Sequence, residues 1–565
     1  MTIPRSPGFA ELFTPKLITT LREGYSLEHF RSDVIAGLTV AIVALPLSMA
    51  IAIASGASPA QGLYTAIVGG FLVSALGGSR FQIGGPAGAF IVLVASTVEV
   101  HGIDGLILAT VLSGIMLAAM GLMRLGTYIK FIPYPVTVGF TAGIAVIIFV
   151  SQIKDLLGLT LNEPEPGHLL EKLPVLWGSL PTIDPVSVVL ALGTIAVISG
   201  LKMLRPHWPG MLMAVAAASV AAAFLGLPVA TIGSQFGGIP SSLPAPSLPA
   251  LDVDKVLAVL PNAVAFTLLG AIESLLSAVV ADGMTGRRHR SNCELVGQGI
   301  ANVASGLFGG FCVTGTIART ATNVRAGAHG PISGMLHSAF LLLFILVAAP
   351  LASFIPLASL AGVLAVVAWN MVEKQAIVSL LRASRGDIAV LLVTFLLTIF
   401  RELTEAIVVG FALGSVLFIH RMSQATSITQ RAPYVPEDKP DAANGDRRPY
   451  DESVNDPDVV IYRISGAFFF GAAASIGSVL DRIGERCKTL IIDLSAVPVL
   501  DSTAAHTIEG LAHKMQRRGA RLVLTGTSHA VRRELFAHGL RPPLVGYQRD
   551  PQSIARNKPL AGEAM

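Results

Sequence analysis

Long apolar stretches recur through the first three quarters of this 565-residue chain, from about Val34 to about Ile419. A helix that spans a bilayer needs about 20 apolar residues. The pattern predicts a helical membrane domain over residues 33–422, preceded by a polar segment over residues 1–32. Some stretches are too short to span alone. The predicted segments number fourteen, with centres near Ala44, Val68, Val92, Leu112, Ile144, Leu192, Ala216, Leu269, Val303, Ala321, Phe340, Val363, Leu392 and Gly410.

The last quarter of the chain has a different pattern. Residues 423–458 are rich in Pro, Asp, Asn and Arg and have no apolar period, which predicts a flexible linker. Residues 459–565 predict a small soluble α/β domain. Its strands are expected at 459–464, 489–494 and 521–525, and its helices at 473–483, 503–518 and 530–536.

Composition supports a membrane protein and excludes several other classes. Hydrophobic residues make up 52% of the chain and charged residues 13%, whereas soluble domains carry roughly 25% charged residues. The net charge of +4 is small and no basic stripe is interleaved with aromatic residues, so we expect no nucleic-acid partner. The three cysteines have no metal-ligand spacing, and no phosphate-binding loop or nucleophile elbow is present. We therefore expect no metal, no cofactor and no catalytic residues.

The distribution of basic residues orients the membrane domain. With fourteen crossings, both ends of the domain lie on one side. The loops on that side are the basic ones, which makes it the cytoplasmic side by the positive-inside rule. These loops contain Arg124, Lys130, Lys202, Arg205, Arg287, Arg288, Arg290, Lys374, Arg382, Arg385 and Arg421.

Two irregular, glycine-rich stretches stand at the start of apolar segments, at residues 81–89 and 309–319. They are separated by about 230 residues, and each follows a distinctive helix, one containing Pro46 and the other Glu273. Interrupted segments in corresponding halves are typical of transporters built from inverted repeats. Seven crossings per half, an odd number, would make the two repeats inverted.

Irregular backbone at membrane depth is tolerated where it is buried in protein or lines a cavity. A helix that starts there directs free N–H groups and the positive end of its dipole into the cavity, which suits an anion. The alternative is that the small residues merely allow close helix packing. The predicted substrate-binding residues are Pro86, Ala87, Gly88, Gly315, Thr316, Ile317, Ala318 and Arg319.

Glu273 lies in an otherwise apolar run, and a carboxylate at bilayer depth is a functional candidate by default. Burial favours its protonated form, so it could carry a proton together with the substrate. It could instead stay ionised and bind Na⁺ with Ser277. A third interpretation is an ion pair with Arg319 that only locks helices together. Arg319 would also add fixed positive charge beside the predicted anion site.

Motifs spread over nearly the whole chain carry a family resemblance. They are Asp33-Val34-Ile35-Ala36-Gly37-Leu38-Thr39-Val40, Ala44-Leu45-Pro46, Gly62-Leu63-Tyr64, Gly84-Gly85-Pro86-Ala87, Gly139-Phe140-Thr141-Ala142-Gly143, Ile272-Glu273-Ser274-Leu275-Leu276, Asn292-Cys293-Glu294-Leu295-Val296-Gly297-Gln298-Gly299, Ala318-Arg319-Thr320 and Asn323-Val324-Arg325-Ala326-Gly327-Ala328. Together they resemble the sulfate permease (SulP) family of anion transporters, the bacterial relatives of mammalian prestin and pendrin. The resemblance implies fourteen segments in two inverted repeats of seven. Segments 1–4 and 8–11 would form a core domain that moves, elevator-like, against a gate domain of segments 5–7 and 12–14, with substrate between short segments 3 and 10.

The resemblance also assigns roles to single positions. Sodium-dependent bicarbonate members have Asp and a nearby Thr where this chain has Glu273 and Ser277, a departure that favours protons over sodium. Ala87 replaces the substrate-facing Thr of those members, which disfavours bicarbonate. Arg319 takes the place of the family's arginine in segment 10, and Ala318 that of a serine of the mammalian members.

Within the family, residues 271–286, 294–299 and 368–371 look most similar to the aerobic C4-dicarboxylate transporters of enteric bacteria. This similarity implies proton-coupled uptake of succinate, fumarate, malate or aspartate through a bacterial cytoplasmic membrane. Sulfate or bicarbonate transport, coupled to sodium or protons, is the alternative. An anion channel is disfavoured because a channel gains nothing from a titrating carboxylate, and a membrane sensor that signals through the soluble domain is a further alternative.

The C-terminal domain resembles the STAS domain, which bacterial anti-sigma factor antagonists share. The resemblance rests on the predicted strand at 490–494 and the sequence Val499-Leu500-Asp501-Ser502-Thr503 that follows it. Ser502 takes the position that is phosphorylated in the antagonists, and it would also serve as a helix N-cap. We expect Asp501 and Ser502 to form a regulatory contact surface. The family further implies a homodimer and, in some members, binding of acyl carrier protein.

Overall fold

The helices of the first three quarters of the chain are long and apolar, as the hydrophobic pattern predicts. The computed structural model describes residues 8–129, 133–161, 166, 169–205, 208–250, 252–382, 384–401, 403–430, 459–484 and 487–548. The chain divides into two units, Met1–Ala412 and Leu413–Met565. Each unit has its own hydrophobic core and is described by itself.

In the first unit and across its boundary the helices are α1 (Phe9–Phe13), α2 (Lys16–Arg22), α3 (Leu27–Ala54), α4 (Pro59–Tyr64), α5 (Gly70–Leu76), α6 (Ile91–Leu122), α7 (Gly126–Ile129), α8 (Tyr134–Ser151), α9 (Ile153–Leu157), α10 (Leu169–Gly178), α11 (Pro185–Leu204), α12 (Gly210–Phe224), α13 (Ile232–Phe236), α14 (Val253–Thr285), α15 (Ser291–Leu307), α16 (Ile317–Arg325), α17 (Ile332–Ala352), α18 (Leu357–Met371), α19 (Lys374–Leu381), α20 (Arg385–Phe400) and α21 (Leu403–Gln424). A π-helical turn at Thr65–Gly69 joins α4 to α5, and 3-10 turns occupy Gly88–Phe90 and Leu180–Thr182. Two short strands, β1 (Gly84–Gly85) and β2 (Thr314–Gly315), lie among these helices.

Fourteen helical segments in the described part of the chain each contain one predicted centre. In chain order they are α3, the continuous run from α4 to α5, the two halves of α6, α8, α11, α12, α14, α15, α16, α17, α18, α20 and α21. Two arise from α6, which is broken at Gly102 by a φ of +69°, a conformation that glycine adopts most readily. Among the described residues, nine helices are long and apolar enough to cross a membrane by length and composition alone. The remaining segments are shorter; α16, for example, has 9 residues. The prediction that some segments are too short to span alone agrees with this pattern.

The helix packing repeats in the two halves with inverted order. Helix α3 packs against α17 in the same way that α14 packs against α6, and the pair α8–α20 matches the pair α11–α18. Segments 1–4 and 8–11 therefore form the core, and segments 5–7 and 12–14 form the gate. Core and gate meet where α18 and α12 contact α3 and where α8 contacts the 3-10 turn Gly88–Phe90.

The second unit contains a five-stranded sheet with the order β3-β4-β5-β6-β7. Strand β3 is antiparallel to β4 and the other pairs are parallel. Buried side chains from the sheet and helices, such as Leu490, Ile492 and Ile508, make its core. Its elements are β3 (Ser427–Gln430), β4 (Val459–Ser465), α22 (Phe470–Gly484), β5 (Thr489–Ala496), α23 (Ser502–Arg517), β6 (Arg521–Thr525), α24 (His529–Ala537) and β7 (Gly546–Gln548).

The observed elements shift two predicted boundaries. Helix α3 begins at Leu27, inside the predicted N-terminal segment 1–32, because Ser26 and His29 form a capping box there. Strand β3 lies inside the predicted linker 423–458, because its backbone pairs with β4 from Ser427 opposite Ser465 to Gln430 opposite Tyr462. Its four residues include a single apolar one, Ile428, which is too little to predict a strand. Linker residues 431–458 lie outside the described residues, as do residues 549–565 of the predicted C-terminal domain.

Candidate anion site between the two repeats

The two irregular stretches meet in the core as a two-stranded antiparallel pair. Gly84 pairs with Gly315 and Gly85 with Thr314. The pairing continues at Thr316, whose backbone N–H donates to the carbonyl oxygen of Ile83 at 3.0 Å. Backbone hydrogen bonds therefore join the two stretches directly. In the sequence, the only relation between them is their equivalent position in the two repeats.

This close approach requires glycine. A β-carbon on Gly315 would lie 1.7 Å from Nε2 of Gln82, and one on Gly85 would lie 2.1 Å from Nη1 of Arg319. Real side chains do not tolerate such distances, so larger residues would have to displace the Gln82 amide or the Arg319 guanidinium. Gly85 and Gly315 are thus required by their close packing against polar side chains.

A helix begins directly after each strand. The 3-10 turn at Gly88 follows the extended residue Ala87 and leads into α6, and α16 begins at Ile317 after the extended residue Thr316. Neither Ala87 nor Thr316 caps its helix with a side-chain hydrogen bond. The first N–H groups of a helix have no intrahelical acceptor and carry its positive partial charge. Two uncapped helix starts on adjoining strands can therefore stabilise an anion.

Arg319, the third residue of α16, links the two halves of the site. Its side chain is 1% exposed. Nη2 donates to the hydroxyl oxygen of Ser48 at 3.2 Å and to the backbone oxygen of Pro86 at 3.3 Å. Within the described residues, its Nε and Nη1 atoms have no acceptor. A guanidinium has five N–H donors, so part of this buried charge is available to a ligand.

Glu273 lies on the face of α14 that contacts β2 and α16. Its neighbours on that face are tied to the second stretch: Ser274 accepts from the N–H of Gly315 at 3.2 Å, and Ser277 donates to the hydroxyl oxygen of Thr320 at 3.0 Å. The Glu273 side chain itself is 6% exposed, and no hydrogen bond or ion pair joins it to another described residue. The alternative in which Glu273 is locked in an ion pair with Arg319 is therefore not the arrangement found here.

The site lies at the boundary between core and gate. A β-carbon on Gly88 would lie 3.2 Å from Cδ1 of Ile148 in α8 and 3.7 Å from Sδ of Met371 in α18, both helices of the gate. Ala87 is buried, Ile317 is half-buried and Ala318 is exposed. All eight predicted substrate-binding residues thus lie on the paired strands or on the two helix starts.

Several residues of the site were not predicted. Ser48 holds the Arg319 guanidinium, and Thr320 accepts from both Ser277 and the N–H of Ile83, at 3.0 and 3.1 Å. Gln82 is buried against Gly315 with neither amide atom hydrogen-bonded to a described residue. The available signal was the presence of polar residues inside apolar segments, but that signal does not say which partners these residues contact.

In the second unit, Asp501 rather than Ser502 is the N-cap of α23. Its carboxylate accepts from the N–H of Ala504 at 2.9 Å and from the N–H of Phe470 at 2.9 Å. A carboxylate caps a helix as well as a hydroxyl does, and Asp501 has the extended backbone of a cap. Ser502 is the first helical residue, and its hydroxyl donates to Oε1 of Glu534 at 3.2 Å. The predicted cap is therefore wrong by one residue.

The family comparisons agree with the two units. The family model described as "Sulfate permease family" matches residues 30–394, and the model described as "STAS domain" matches residues 452–546. The first match covers more than half of the chain. It includes both strands of the site, both helix starts and Glu273.

Three known proteins show how far the similarity extends. "Putative sulfate transporter YvdB" of Bacillus subtilis is 41% identical over 92% of this chain and 95% of its own length. "Bicarbonate transporter BicA" of Synechocystis is 32% identical over 90% of each chain. The solved structure described as "The overall structure of SLC26A9" has a TM-score of 0.83 at 17% identity and covers 96% of this chain and 92% of that one, which establishes a shared fold. These relatives are transporters rather than enzymes, as predicted.

Proposed function

Since the chain belongs to the sulfate permease family of anion transporters, we propose that it is a secondary active transporter of a small inorganic oxyanion, sulfate or bicarbonate. The observation that carries this proposal is the pair of uncapped helix starts beside Arg319, whose Nε and Nη1 lack acceptors among the described residues. The names of the two relatives supply the anion class. A STAS domain accompanies the transport domain.

An oxyanion in this site would accept hydrogen bonds from backbone N–H groups of both repeats and from the free part of the Arg319 guanidinium. Hydrogen bonds to charged groups contribute about 1.5–3 kcal/mol each. Within the described residues, no side chain carries a negative charge against Arg319. The site therefore supports binding of small anions by backbone and guanidinium together.

Glu273 is proposed as the coupling residue. It is buried without a hydrogen bond or ion pair to another described residue, and the next residue of α14, Ser274, shares a hydrogen bond with Thr314 of the second stretch. A proton taken up with the anion would neutralise this carboxylate. Sodium is the alternative ion, with Ser277 as a second oxygen ligand, since its hydroxyl oxygen keeps acceptor capacity.

The position of the site supports an elevator-like movement. The strands β1 and β2 and both helix starts belong to the core, while Ile148 and Met371, which face Gly88, belong to the gate. Movement of the core along the gate would carry the anion and Glu273 together. Alternating access in inverted-repeat transporters arises from such movement of one bundle against another.

The chain is a multi-pass membrane protein, and its basic loops support a cytoplasmic location for both termini in a bacterial inner membrane. From the family resemblance we also propose a homodimer. A further proposal is that a cytoplasmic partner, such as acyl carrier protein, binds the STAS domain at Asp501 and Ser502. The Glu534 carboxylate beside Ser502 disfavours phosphorylation there, because a phosphate would face a like charge.

Uptake of labelled sulfate by proteoliposomes tests the proposal, with an inward proton gradient, an inward sodium gradient or neither. Gradient-driven accumulation above equilibrium would establish coupled transport and exclude a channel. Competition by bicarbonate or by succinate then ranks the anions. Uptake of labelled succinate, without uptake of sulfate or bicarbonate, would replace the inorganic oxyanion with the C4-dicarboxylate that the runs at 271–286 and 368–371 imply. Liposomes without protein are the control.

Uptake of none of these anions under any gradient would contradict the proposed function. It would leave the membrane sensor, which signals through the STAS domain, as the alternative to pursue.

A further inference from the structure

Through polar side chains, helix α15 contacts the backbone of the second irregular stretch and the backbone that leads into the first. It carries Glu294, Gln298 and Asn302 at spacings of four residues, so the three side chains follow one face of the helix. None of them touches the predicted substrate position. All three are fully or almost fully buried. A buried polar ladder in a membrane helix is costly unless its groups are hydrogen-bonded.

Asn302 forms a two-point clamp on the second stretch. Its Nδ2 donates to the backbone oxygen of Val313 at 2.8 Å, and its Oδ1 accepts from the N–H of the same residue at 3.0 Å. The side-chain amide thus pairs with Val313 as a neighbouring strand would. Val313 directly precedes Thr314, the first residue of β2.

Glu294 anchors the chain that leads to the first stretch. Its Oε2 accepts from the N–H groups of Gly78 and Ser79 at 2.8 and 2.9 Å, and Nε2 of Gln298 donates to its Oε1 at 3.2 Å. Glu294 is 0% exposed. One helix therefore holds both chains whose pairing makes the site.

The contacts of β1 and β2 allow only one register between the two strands. A slip by one residue reverses the side of the sheet on which each residue lies. It would place Thr314 where Gly315 stands, against the Gln82 amide, and would break the bond between the N–H of Gly315 and Ser274. The clamp on Val313 fixes this register from the residue next to the strand.

We propose that Asn302, supported by Glu294 on the same helix, is a positioning residue that sets the register of the two strands and thereby the position of the helix start at Ile317 and of Arg319. This inference rests on the proposed transport function. Asn302 acts through Val313 and touches neither anion nor coupling ion. Its loss should therefore lower substrate affinity more than it lowers the amount of folded protein.

The test compares Asn302→Ala with Ser305→Ala. Ser305, also buried on α15, donates to the backbone oxygen of Phe311 at 2.7 Å and so binds the same chain farther from β2. In sulfate uptake by proteoliposomes we expect KM to rise about tenfold for Asn302→Ala, equivalent to about 1.4 kcal/mol. We expect KM to stay within about twofold for Ser305→Ala. An unchanged KM for Asn302→Ala, or an equal rise in both variants, would overturn the proposal.

Asn302→Asp covers the case in which the alanine variant does not fold. A protonated Asp has the shape of Asn and can both donate to and accept from Val313, whereas an ionised Asp cannot donate. Burial favours the protonated acid, so Asn302→Asp should keep the clamp, with a KM within about twofold of that of the wild type. A KM raised about tenfold in a folded Asn302→Asp variant would count against the clamp.

Hydrogen exchange separates this inference from the proposed function. Asn302→Ala should accelerate exchange in peptides covering residues 311–319 and 81–90, while Ser305→Ala should leave 81–90 unchanged. If the wild type takes up no anion, the proposed function fails, yet the exchange pattern still decides whether Asn302 holds the strands. Equal exchange in wild type and Asn302→Ala would overturn the positioning role.

Discussion

The two halves of the anion site have the same backbone plan and different side chains. In the first repeat, β1 leads through Pro86 and Ala87 to a helix start at Gly88, and no charged side chain accompanies it. In the second repeat, β2 leads through Thr316 to a helix start that carries Arg319 in its first turn. The backbone donors come from both repeats, and the fixed positive charge comes from one.

The helices behind the two halves differ in the same way. Helix α3 of the first repeat contributes the neutral hydroxyl of Ser48, which Arg319 contacts at 3.2 Å. Helix α14 of the second repeat contributes Glu273. Both charges of the site therefore belong to the second repeat. The two repeats share a frame with two converging helix starts, and their side chains differ within it; on the proposed function, this difference supplies the fixed charge for binding and the carboxylate for coupling.

Replacing Glu273 with Gln should have the largest effect, because it removes the second repeat's titrating group. The amide mimics the protonated acid and cannot exchange a proton, so accumulation driven by a proton gradient should be abolished. Exchange of anion across the membrane at equal pH should persist. The measurement is labelled-anion accumulation in proteoliposomes, with Glu99→Gln at an exposed position of α6 as the matched control. Undiminished accumulation in Glu273→Gln would remove the coupling role.

Arg319→Ala should have the second largest effect. It removes the only fixed positive charge among the described residues of the site. Loss of charged hydrogen bonds of about 1.5–3 kcal/mol predicts a rise in KM of roughly 10- to 100-fold. Arg319→Lys should recover little of this, because an ammonium has no counterpart of the separate Nε and Nη1 groups that remain for a ligand while Nη2 donates to Ser48 and Pro86. Thermal unfolding of each variant reports whether the fold is kept.

Arg325→Ala is the matched control for Arg319, since Arg325 lies on the same helix at an exposed position. Its KM should equal that of the wild type. A KM for Arg319→Ala that is no higher than that of Arg325→Ala would contradict the assignment of the charge to the second half.

The first half can be tested through its glycines. In Gly85→Ala the added methyl group would lie 2.1 Å from Nη1 of Arg319 and should push the guanidinium out of place. We expect a rise in KM of roughly fivefold, corresponding to about 1 kcal/mol. In Gly88→Ala the nearest atom is Cδ1 of Ile148 at 3.2 Å, which can move, so the rise should be smaller. Equal effects would mean that contact with Arg319 is not what makes Gly85 sensitive.

Much of this arrangement could be predicted because it rests on local patterns. The fourteen segments follow from hydrophobic runs, and the pairing of the two stretches follows from their equivalent places in the repeats. Three of the strands and all three helices of the second unit follow from alternation and helical period. Strands β3 and β7 were missed because they have only 4 and 3 residues, too few to show an alternating pattern.

The contacts that set the site could not be predicted, because they join residues far apart in the chain. Ser48 and Arg319 are 271 residues apart, and Gln82 and Gly315 meet only after the strands have paired. A polar residue in an apolar segment signals that some partner exists. Which partner it finds is decided by the packing of the two repeats. The absence of an ion pair between Glu273 and Arg319 likewise depended on where α14 lies relative to α16.

The smallest expected effect concerns the C-terminal ends of the two helices that start at the site, α16 and the first half of α6. Beyond α16 the chain is tied to α3: Asp33 accepts from the N–H groups of His329 and Gly330 at 2.6 and 3.1 Å, and the ring of His329 stacks on that of His29 with centroids 3.6 Å apart. The corresponding end in the first repeat is the break at Gly102, where His101 has no such stacking partner among the described residues.

The stacking of His329 on His29 makes the contact between this chain segment and α3 sensitive to acid. Burial, first, and then the neighbouring His29 lower the pKa of His329, while Asp33 acts in the opposite direction. A histidine whose pKa is lower in the folded than in the unfolded state contributes stability above its unfolded pKa of about 6.5, and that stability is lost as the pH falls. The other charged groups that act on the ring, Arg80 and Arg287, also disfavour its protonation.

Hydrogen exchange over residues 326–331 should therefore quicken modestly between neutral and mildly acidic pH in the wild type. In His329→Gln this dependence should be weaker, because the protonatable ring is gone. His101→Gln is the matched control, and it should leave the pH dependence at 326–331 intact. If exchange at 326–331 depends on pH equally in the wild type and in His329→Gln, the histidine stack is not the acid-sensitive element. The far ends of the two repeats would then differ in geometry but not in their response to pH.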